Sequence, residues 1–447
     1  MAVLSKTMNS VASVLGSSLI GVDVPFSTVS TDTRSLEQGA LFVALSGPNF
    51  DGNDYVNIAG EKGAVGAVLS RDVETGLPYV VVSDTKKAIG ILASAWRKNF
   101  EMPLIGVTGS NGKTTVKEML KSILSQQGKV LATKGNLNND IGLPLTLFEL
   151  NSDCDYAVIE MGANHPGEIA YLADIAKPDI GVVSNAGTAH LEGFGSREGV
   201  ARAKGELFMA LGKGGTAIIN RDDKFSDLWM SVCSSKKLTF GIESESADFR
   251  ASDISLNAGG SSFDLNYNGE SVSIELAIHG RHNIMNALAA SAAASAAGIS
   301  LRQVQAGLAE FRPVGGRLKS TLGYKGCNVI DDAYNANPES MFAAINVLSE
   351  LDGVKILVIG DMFELGASAD EGHKSVGKYA KEKAIDHLFC LGEKSKLACE
   401  VFGAGAKHYS ELDKLVSELK SILEAGTTVL VKGSRGMRME RVLNEIV

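Results

Sequence analysis

The chain has 447 residues, with 43 Lys and Arg against 52 Asp and Glu, for a net charge of −9. With no basic block, that balance excludes nucleic acid as the main partner, because binding a phosphate backbone needs clustered cations. A hydrophobic content of 45% and a charged content of 21% describe a soluble globular chain, and its length suits about three domains of ~150 residues each.

Residues 1–102 read as a first α/β unit. The opening stretch, MAVLSKTMNSVASVLGSSLIGV, is interrupted by serines and an asparagine, so it reads as a helix rather than a signal peptide. Apolar strand patterns fall at 41–45, 65–69 and 79–82, with a helical pattern at 85–97. Two polar segments, STDTR at 30–34 and GPNFDG at 47–52, read as turns when taken alone.

The second unit, 103–314, opens on PLIGVTGSNGKTTVKEM at 103–119. An apolar run at 104–107 reads as a buried strand, and a helical pattern begins at Lys113. Between them Gly109, Ser110, Asn111 and Gly112 form a glycine loop. Strand, glycine loop and helix together make a phosphate-binding site: backbone N–H groups turn toward an anion and the helix N-terminus adds positive potential. Lys113 would reach the terminal phosphates, and a hydroxyl at Thr114 or Thr115 would touch Mg²⁺. The loop is shorter than the usual G-x-x-x-x-G-K-[ST] pattern, whose first glycine would fall on Val107. The expectation is a nucleoside triphosphate site.

A strand at 130–133 follows, then a dense polar stretch at 135–142. The apolar strand at 156–161 carries Glu160 at its end. A helix at 166–176, a strand at 180–184, His190, and a helix at 198–211 carrying Lys204 come next. Alternation of strand and helix implies a parallel sheet with both faces covered, and ligands gather beyond the carboxyl ends of such strands. Glu160 suits a Mg²⁺ site, which wants few, hard oxygen ligands. His190 and Lys204, each taken alone, read as structural and solvated side chains.

Residues 237–278 alternate in short runs with Gly and Asn turns, which suggests a small antiparallel addition. The Ala-rich run near 284–298 is too short and too polar to span a membrane and reads as a core helix at 282–297. RPVGG at 312–316 interrupts the pattern and marks a boundary. The third unit, 315–447, alternates again, with strands at 327–330, 355–359, 387–391 and 428–431 and helices at 338–351, 370–383, 410–424 and 437–446. It reads as a second doubly wound α/β domain. Asp332 ends one of its strands, where a carboxylate could bind a ribose hydroxyl or simply cap a turn. The five cysteines, 154, 233, 327, 390 and 399, form no C-x-x-C. That is the usage of a reduced, cytoplasmic protein.

Eight segments, taken jointly and in order, resemble the motifs of the Mur ligases. They are TGSNGKTT (108–115), EMGANHPGEI (160–169), AHLEGFGS (189–196), AKGELF (203–208), GRHNIMNALAA (280–290), DDAYNANPES (331–340), GDMFELG (360–366) and VKGSRGMRME (431–440). Asn53 stands where the family often has a histidine. No D-N-P-R segment occurs, which favours the dipeptide-adding type over the one that adds a single diamino acid.

The resemblance implies an ATP- and Mg²⁺-dependent amide ligase. Its substrates would be UDP-N-acetylmuramoyl-tripeptide and D-alanyl-D-alanine, joined through an acyl phosphate with release of ADP and phosphate. It implies a monomer with three domains: a UDP-substrate domain, a P-loop-type ATPase domain with a mostly parallel sheet, and a Rossmann-like ligase domain. Residue by residue, it implies Thr115 with Glu160 at one Mg²⁺, and His190 with Lys204, as its carbamate, at a second. Asn283 and Asn286 would face adenine, Arg317 the phosphates and Asp332 the ribose. Thr33, Arg34, Asn49, Asp51 and Gly52 would line the uridine diphosphate site. Asn138, Asn139 and His165 would hold the muramoyl-peptide side. Tyr334, Asn335, Asn337, Ser434 and Arg435 would receive the dipeptide.

Overall fold

The structure is a computed structural model that describes residues 4–188, 190–257 and 260–447. Ala189, which opens the AHLEGFGS segment, and residues 1–3 of the expected first helix lie outside the described residues. So do 258–259 of the antiparallel addition.

Among the described residues the main strands form three sheets. The first unit has a five-stranded sheet in the order Leu19–Ile20, Tyr79–Val81, Ala64–Leu69, Ala40–Val43, Thr28–Ser30, parallel except at the Leu19–Ile20 edge. Its helix Thr85–Arg97 is capped by Asp84, whose carboxylate accepts from the Lys87 amide, as N-cap chemistry requires. That helix packs its apolar face, Ile89 and Leu92, into one cluster with Leu147 and Leu172 of the second unit.

The central sheet has nine strands, in the order Glu270–Leu276, Gly260–Tyr267, Phe249–Asn257, Lys236–Gly241, Thr216–Asn220, Ile180–Val183, Leu104–Thr108, Tyr156–Glu160, Val130–Ala132. The middle strands, from Thr216–Asn220 to Tyr156–Glu160, are almost wholly buried. They are covered on both faces, which is why they read as unbroken apolar runs. The antiparallel region is continuous with this sheet: Phe249 pairs in parallel with Phe240 before the chain turns back on itself.

The helix Arg281–Ala296 runs buried against the sheet. No helix among the described residues is long and apolar enough to cross a membrane. The last sheet has six strands, Lys319–Leu322, Asn328–Asp332, Thr427–Lys432, Val354–Gly360, His387–Leu391, Ala406–Tyr409, parallel except for the first edge. One apolar cluster joins Ile284 and Leu288 of the central unit to Met341 and Ile345 of this one.

Candidate active site

Three parallel strands end side by side. Glu160 lies opposite Val107, and Val183 opposite Thr108, so Gly109, Glu160 and Ser184 emerge along one edge of the sheet. The loop at 109–112 leaves no room for a side chain at its two glycines. A Cβ on Gly109 (φ +148°) would lie 1.9 Å from Ser184 Oγ, and one on Gly112 (φ +82°) 2.3 Å from Asn286 Oδ1. The loop is tied down by its neighbours: Ser184 Oγ and Asn185 Nδ2 donate to Asn111 O at 2.6 and 3.0 Å, and Asn111 N donates to Asn185 Oδ1 at 2.9 Å. The helix Lys113–Leu124 starts at Gly112 with no side-chain cap. Its first N–H groups therefore remain available to an anion.

Lys113 Nζ folds back onto Gly109 O at 2.6 Å and Ser110 O at 3.3 Å. Burial pushes its ammonium pKa down, Glu160 opposes that, and Arg317 adds to it. Glu160 is 2% exposed. Its two oxygens accept from Thr114 Oγ1 at 2.9 Å and Asn138 Nδ2 at 2.8 Å. The hydroxyl that meets Glu160 is thus Thr114's. Thr115, expected there, instead lines a neighbouring cavity with Asn283, Asn286 and Asp332. Arg317, from the third unit, donates to Thr114 Oγ1 at 3.1 Å and stacks 4.2 Å over the Tyr334 ring.

His190 sits in the left-handed region (φ +58°), with Nδ1 2.6 Å from Glu364 Oε2. Burial lowers its pKa, with Lys113 and Lys204 reinforcing and Glu364 opposing. Lys204 is 2% exposed, and its pKa is pushed down to about 7, first by burial and then by Lys113. Its Nζ has a carbonyl, Ala163 O, at 3.5 Å and the Phe194 ring at 5.4 Å. A buried lysine so poorly supplied with acceptors favours the neutral amine.

Three adjoining cavities open around this core. The largest, about 620 Å³, reaches from Lys86 of the first unit past the loop, Glu160 and His190 to Tyr334, Asn335 and Asn337 of the third. Asn138 and Asn139 also line it. The second, about 300 Å³, holds Asn283, Asn286 and Asp332 with His282. Asn283 donates to His279 O at 2.7 Å, and Asn286 donates to Asn283 Oδ1 at 3.0 Å. The third, about 140 Å³, lies between His190, Asn335, Asn337, Glu364, Ser434 and Arg435.

Asp332 and Lys432 stand opposite each other on paired strands, which brings Lys432 Nζ to 2.6 Å from Asp332 Oδ2 inside the protein. Burial raises the Asp332 pKa while Lys432 opposes it. Asn337 Nδ2 donates to Asn111 Oδ1 at 2.9 Å, and Thr188 N donates to Glu339 Oε2 at 3.0 Å, so the third unit is docked on the loop.

Residues 107–294, 316–435 and 25–111 match, respectively, the families described as Mur ligase middle domain, Mur ligase glutamate ligase domain and Mur ligase family catalytic domain. The chain is 43% identical over 446 residues to UDP-N-acetylmuramoyl-tripeptide–D-alanyl-D-alanine ligase of Escherichia coli, covering 99% of this chain and 98% of that one. The chain belongs to the Mur ligase family. A crystal structure of MurF from Acinetobacter baumannii superposes on this Mur ligase with a TM-score of 0.93 at 34% identity, covering 100% and 99% of the two chains. MurF from Thermotoga maritima, solved in complex with ADP, superposes with 0.84 at 29% identity, covering 94% and 96%.

Several expected residues of this Mur ligase lie outside the cavities. Thr33, Arg34, Asn49, Asp51 and Gly52 line none of the three. Arg34 is exposed and pairs with Asp32 at 2.6 Å. Asp51 caps the short helix Gly52–Tyr55, and the Asn53 amide with the Asn53 and Ser46 side chains holds its pKa at about 2. Asn53 is buried, donating to Asp51 and Ser70. The His165 ring turns outward to Glu168 at 3.4 Å.

Four site residues had no role from sequence. Asn185 follows an apolar strand as Glu160 does, and that signal could have found it. Glu364 and Glu339 lie inside motif segments, but their partners are on another unit. Lys86 reads as an ordinary helix lysine and pairs across units with Asp140 at 2.5 Å.

Proposed function

We propose that this Mur ligase joins D-alanyl-D-alanine to UDP-N-acetylmuramoyl-tripeptide, consuming ATP, in cytoplasmic peptidoglycan precursor synthesis, and that it works as a monomer. The observation that carries the reading is the 620 Å³ cavity, in which the phosphate loop, Glu160 and the polar Asn335 and Asn337 of the third unit face one space. The relatives alike over their whole length are named for this reaction.

In this reading 1–102 binds the uridine diphosphate end through Thr33, Arg34, Asn49, Asp51 and Gly52, 103–314 binds ATP, and 315–447 brings the dipeptide. The loop amides and the start of the Lys113–Leu124 helix take the phosphates. Lys113 exchanges its two loop carbonyls for the terminal phosphate, and Arg317 meets the same charge from the third unit. Asn283 and Asn286 face the adenine.

The tripeptide's C-terminal carboxylate attacks the γ-phosphorus. An acyl phosphate forms and ADP leaves. The dipeptide amine, having given its ammonium proton to solvent, then attacks the acyl carbon; the C–N bond forms, the acyl C–O bond breaks with its electron pair going to the departing phosphate, and the nitrogen's extra proton leaves to phosphate or solvent. Two anions must meet, so positioning and charge neutralisation supply most of the rate.

Among the described residues no group of three or more His, Cys, Asp and Glu forms a metal cage. Magnesium keeps waters and phosphate oxygens and takes only one or two protein oxygens. Glu160 and the Thr114 hydroxyl fit that need, and His190 with Lys204 as its carbamate would serve a second ion. When bound, magnesium neutralises the phosphate charge. The neutral Lys204 amine is the form that adds carbon dioxide, and a ¹³C carbamate resonance from labelled bicarbonate, lost in Lys204→Arg, tests that role.

The deciding assay is phosphate release from Mg²⁺-ATP with UDP-N-acetylmuramoyl-tripeptide, comparing D-alanyl-D-alanine with single amino acids. Release that depends on the dipeptide, with a pentapeptide product by mass, is expected. Release that depends on a single amino acid and a UDP-linked dipeptide substrate would move the chain to another reaction of the family.

A further inference from the structure

Lys117 lies on the Lys113–Leu124 helix and is 1% exposed. Its Nζ donates to Thr133 O at 2.6 Å and sits 2.7 Å from Glu118 Oε1. A lysine is almost never so buried unless it is paired, and here one partner is a carbonyl that the central sheet would otherwise use. The strand Val130–Ala132 pairs in parallel with Tyr156–Val158. Along that edge Tyr156 N donates to Lys129 O at 3.2 Å, and Thr133 N donates back to Val158 O at 3.1 Å. Continued by two residues, the same alternation gives Thr133 O to the Glu160 amide. Glu160 N donates instead to Thr133 Oγ1, at 2.9 Å. Lys117 holds the carbonyl, and the threonine hydroxyl stands in for it on the ladder.

The exchange bears on both side chains that hold Glu160. Thr133 is where the chain leaves the sheet for the run that presents Asn138 to one Glu160 oxygen at 2.8 Å. Thr114, three residues before Lys117 on the same helix, donates to the other oxygen at 2.9 Å. Lys117 therefore ties the helix that carries one donor to the start of the loop that carries the other. We propose that Lys117 is a positioning residue: by holding Thr133 O off the ladder it aims the Glu160 carboxylate between Thr114 and Asn138. This rests on the function proposed above for what Glu160 then does. An apolar side chain of similar length would fill the space without taking a charge out of water, so packing alone gives no reason for an ammonium there.

The test is a double-mutant cycle in the full-length enzyme, read by phosphate release with saturating UDP-N-acetylmuramoyl-tripeptide and D-alanyl-D-alanine and varied ATP. Lys117→Met is made in the wild type and in Glu160→Gln, and each protein is checked by circular dichroism and a thermal melt. Should Lys117→Met melt below the assay temperature, Lys117→Gln carries the same cycle. In the wild type the substitution should lower kcat by about tenfold and change the ATP KM by less than about threefold. In Glu160→Gln it should lower kcat by less than about twofold, because the carboxylate it aims is gone. Equal fold losses in the two backgrounds, or an unchanged kcat in the wild type, overturn the proposal. If the wild type releases no phosphate with the dipeptide, the functional reading fails instead, and hydrogen exchange decides the role of Lys117. Exchange across 134–142 should then be faster in the variant by at least about tenfold, with the Lys113–Leu124 amides at their wild-type rates. A rise in both segments, or in neither, overturns the proposal.

Discussion

At the residue scale the site depends on single side chains that bring together strands far apart in sequence. Glu160 is the clearest: buried, charged and held by Thr114 and Asn138 on its two oxygens. Glu160→Gln keeps an acceptor for Asn138 and removes the negative charge. We expect kcat to fall by about 10²–10³, the scale for losing one preorganised electrostatic contact, with an unchanged far-UV spectrum. A comparable loss of fold, seen in a thermal melt, would make Glu160 structural instead. His282 carries a pH prediction. Burial first, and Lys432 second, lower its pKa from 6.5 to about 4. Between those values the unfolded chain binds a proton that the folded chain refuses, so stability contributed by the neutral ring is present above pH 6.5 and is lost as pH falls toward 4. The melting-temperature gap between wild type and His282→Gln should therefore narrow from pH 7 to pH 5. A constant gap would refute this. Thr114 marks the limit of reading the site from sequence. Either hydroxyl after Lys113 could face a metal, and the helix phase that turns Thr114 to Glu160 and Thr115 to the next cavity is set by how the Lys113–Leu124 helix packs.

At the element scale the strand–loop–helix was legible because the strand is buried on both faces and the glycines have few alternatives. Gly112 tests that. A methyl there would need φ near +82° and would meet Asn286 Oδ1 at 2.3 Å. Gly112→Ala should cost about 1–3 kcal/mol of stability and raise the ATP KM by at least about tenfold. An unaltered ATP KM with an unaltered melt would show that the loop can open freely. The same apolar signal located the strands ending at Glu160 and near Ser184. It did not single out the helix Gly142–Phe148, which contains Pro144 and follows a polar run, nor the strand Thr216–Asn220. The segment 249–276 showed strand alternation, yet its joining to the central sheet rests on the pairing of Phe240 with Phe249, a non-local choice that alternation does not encode. Glu364 was hidden for a like reason. Its local sequence is a turn, and only the docked fold sets it beside His190.

At the scale of the whole molecule, the reaction needs an ATP site on one sheet and an acceptor site on another, and the two units meet through a shared apolar core and, beside the loop, a few polar contacts. Asn337 reaches the loop at Asn111, Glu339 accepts from Thr188 N and approaches Arg197 at 3.7 Å, and Arg317 reaches Thr114. These polar contacts are the part of the interface that bound substrates can replace. Much of the holding charge at the Glu339 end is one carboxylate, placed so close that a Cβ on Gly187 would lie 1.7 Å from its oxygen. Glu339→Ala removes both of its partners at once without touching the apolar core shared by Ile284 and Met341. In solution the variant should show a larger radius of gyration by small-angle scattering than the wild type. With all substrates present the two should converge, because the ligands themselves bridge the units, and kcat should fall by roughly tenfold as each turnover spends longer open. A variant with the wild-type scattering curve and wild-type kcat would show that the docked arrangement is held by the apolar core alone, and that Glu339 only adds negative charge to the first turn of the helix Pro338–Ser349.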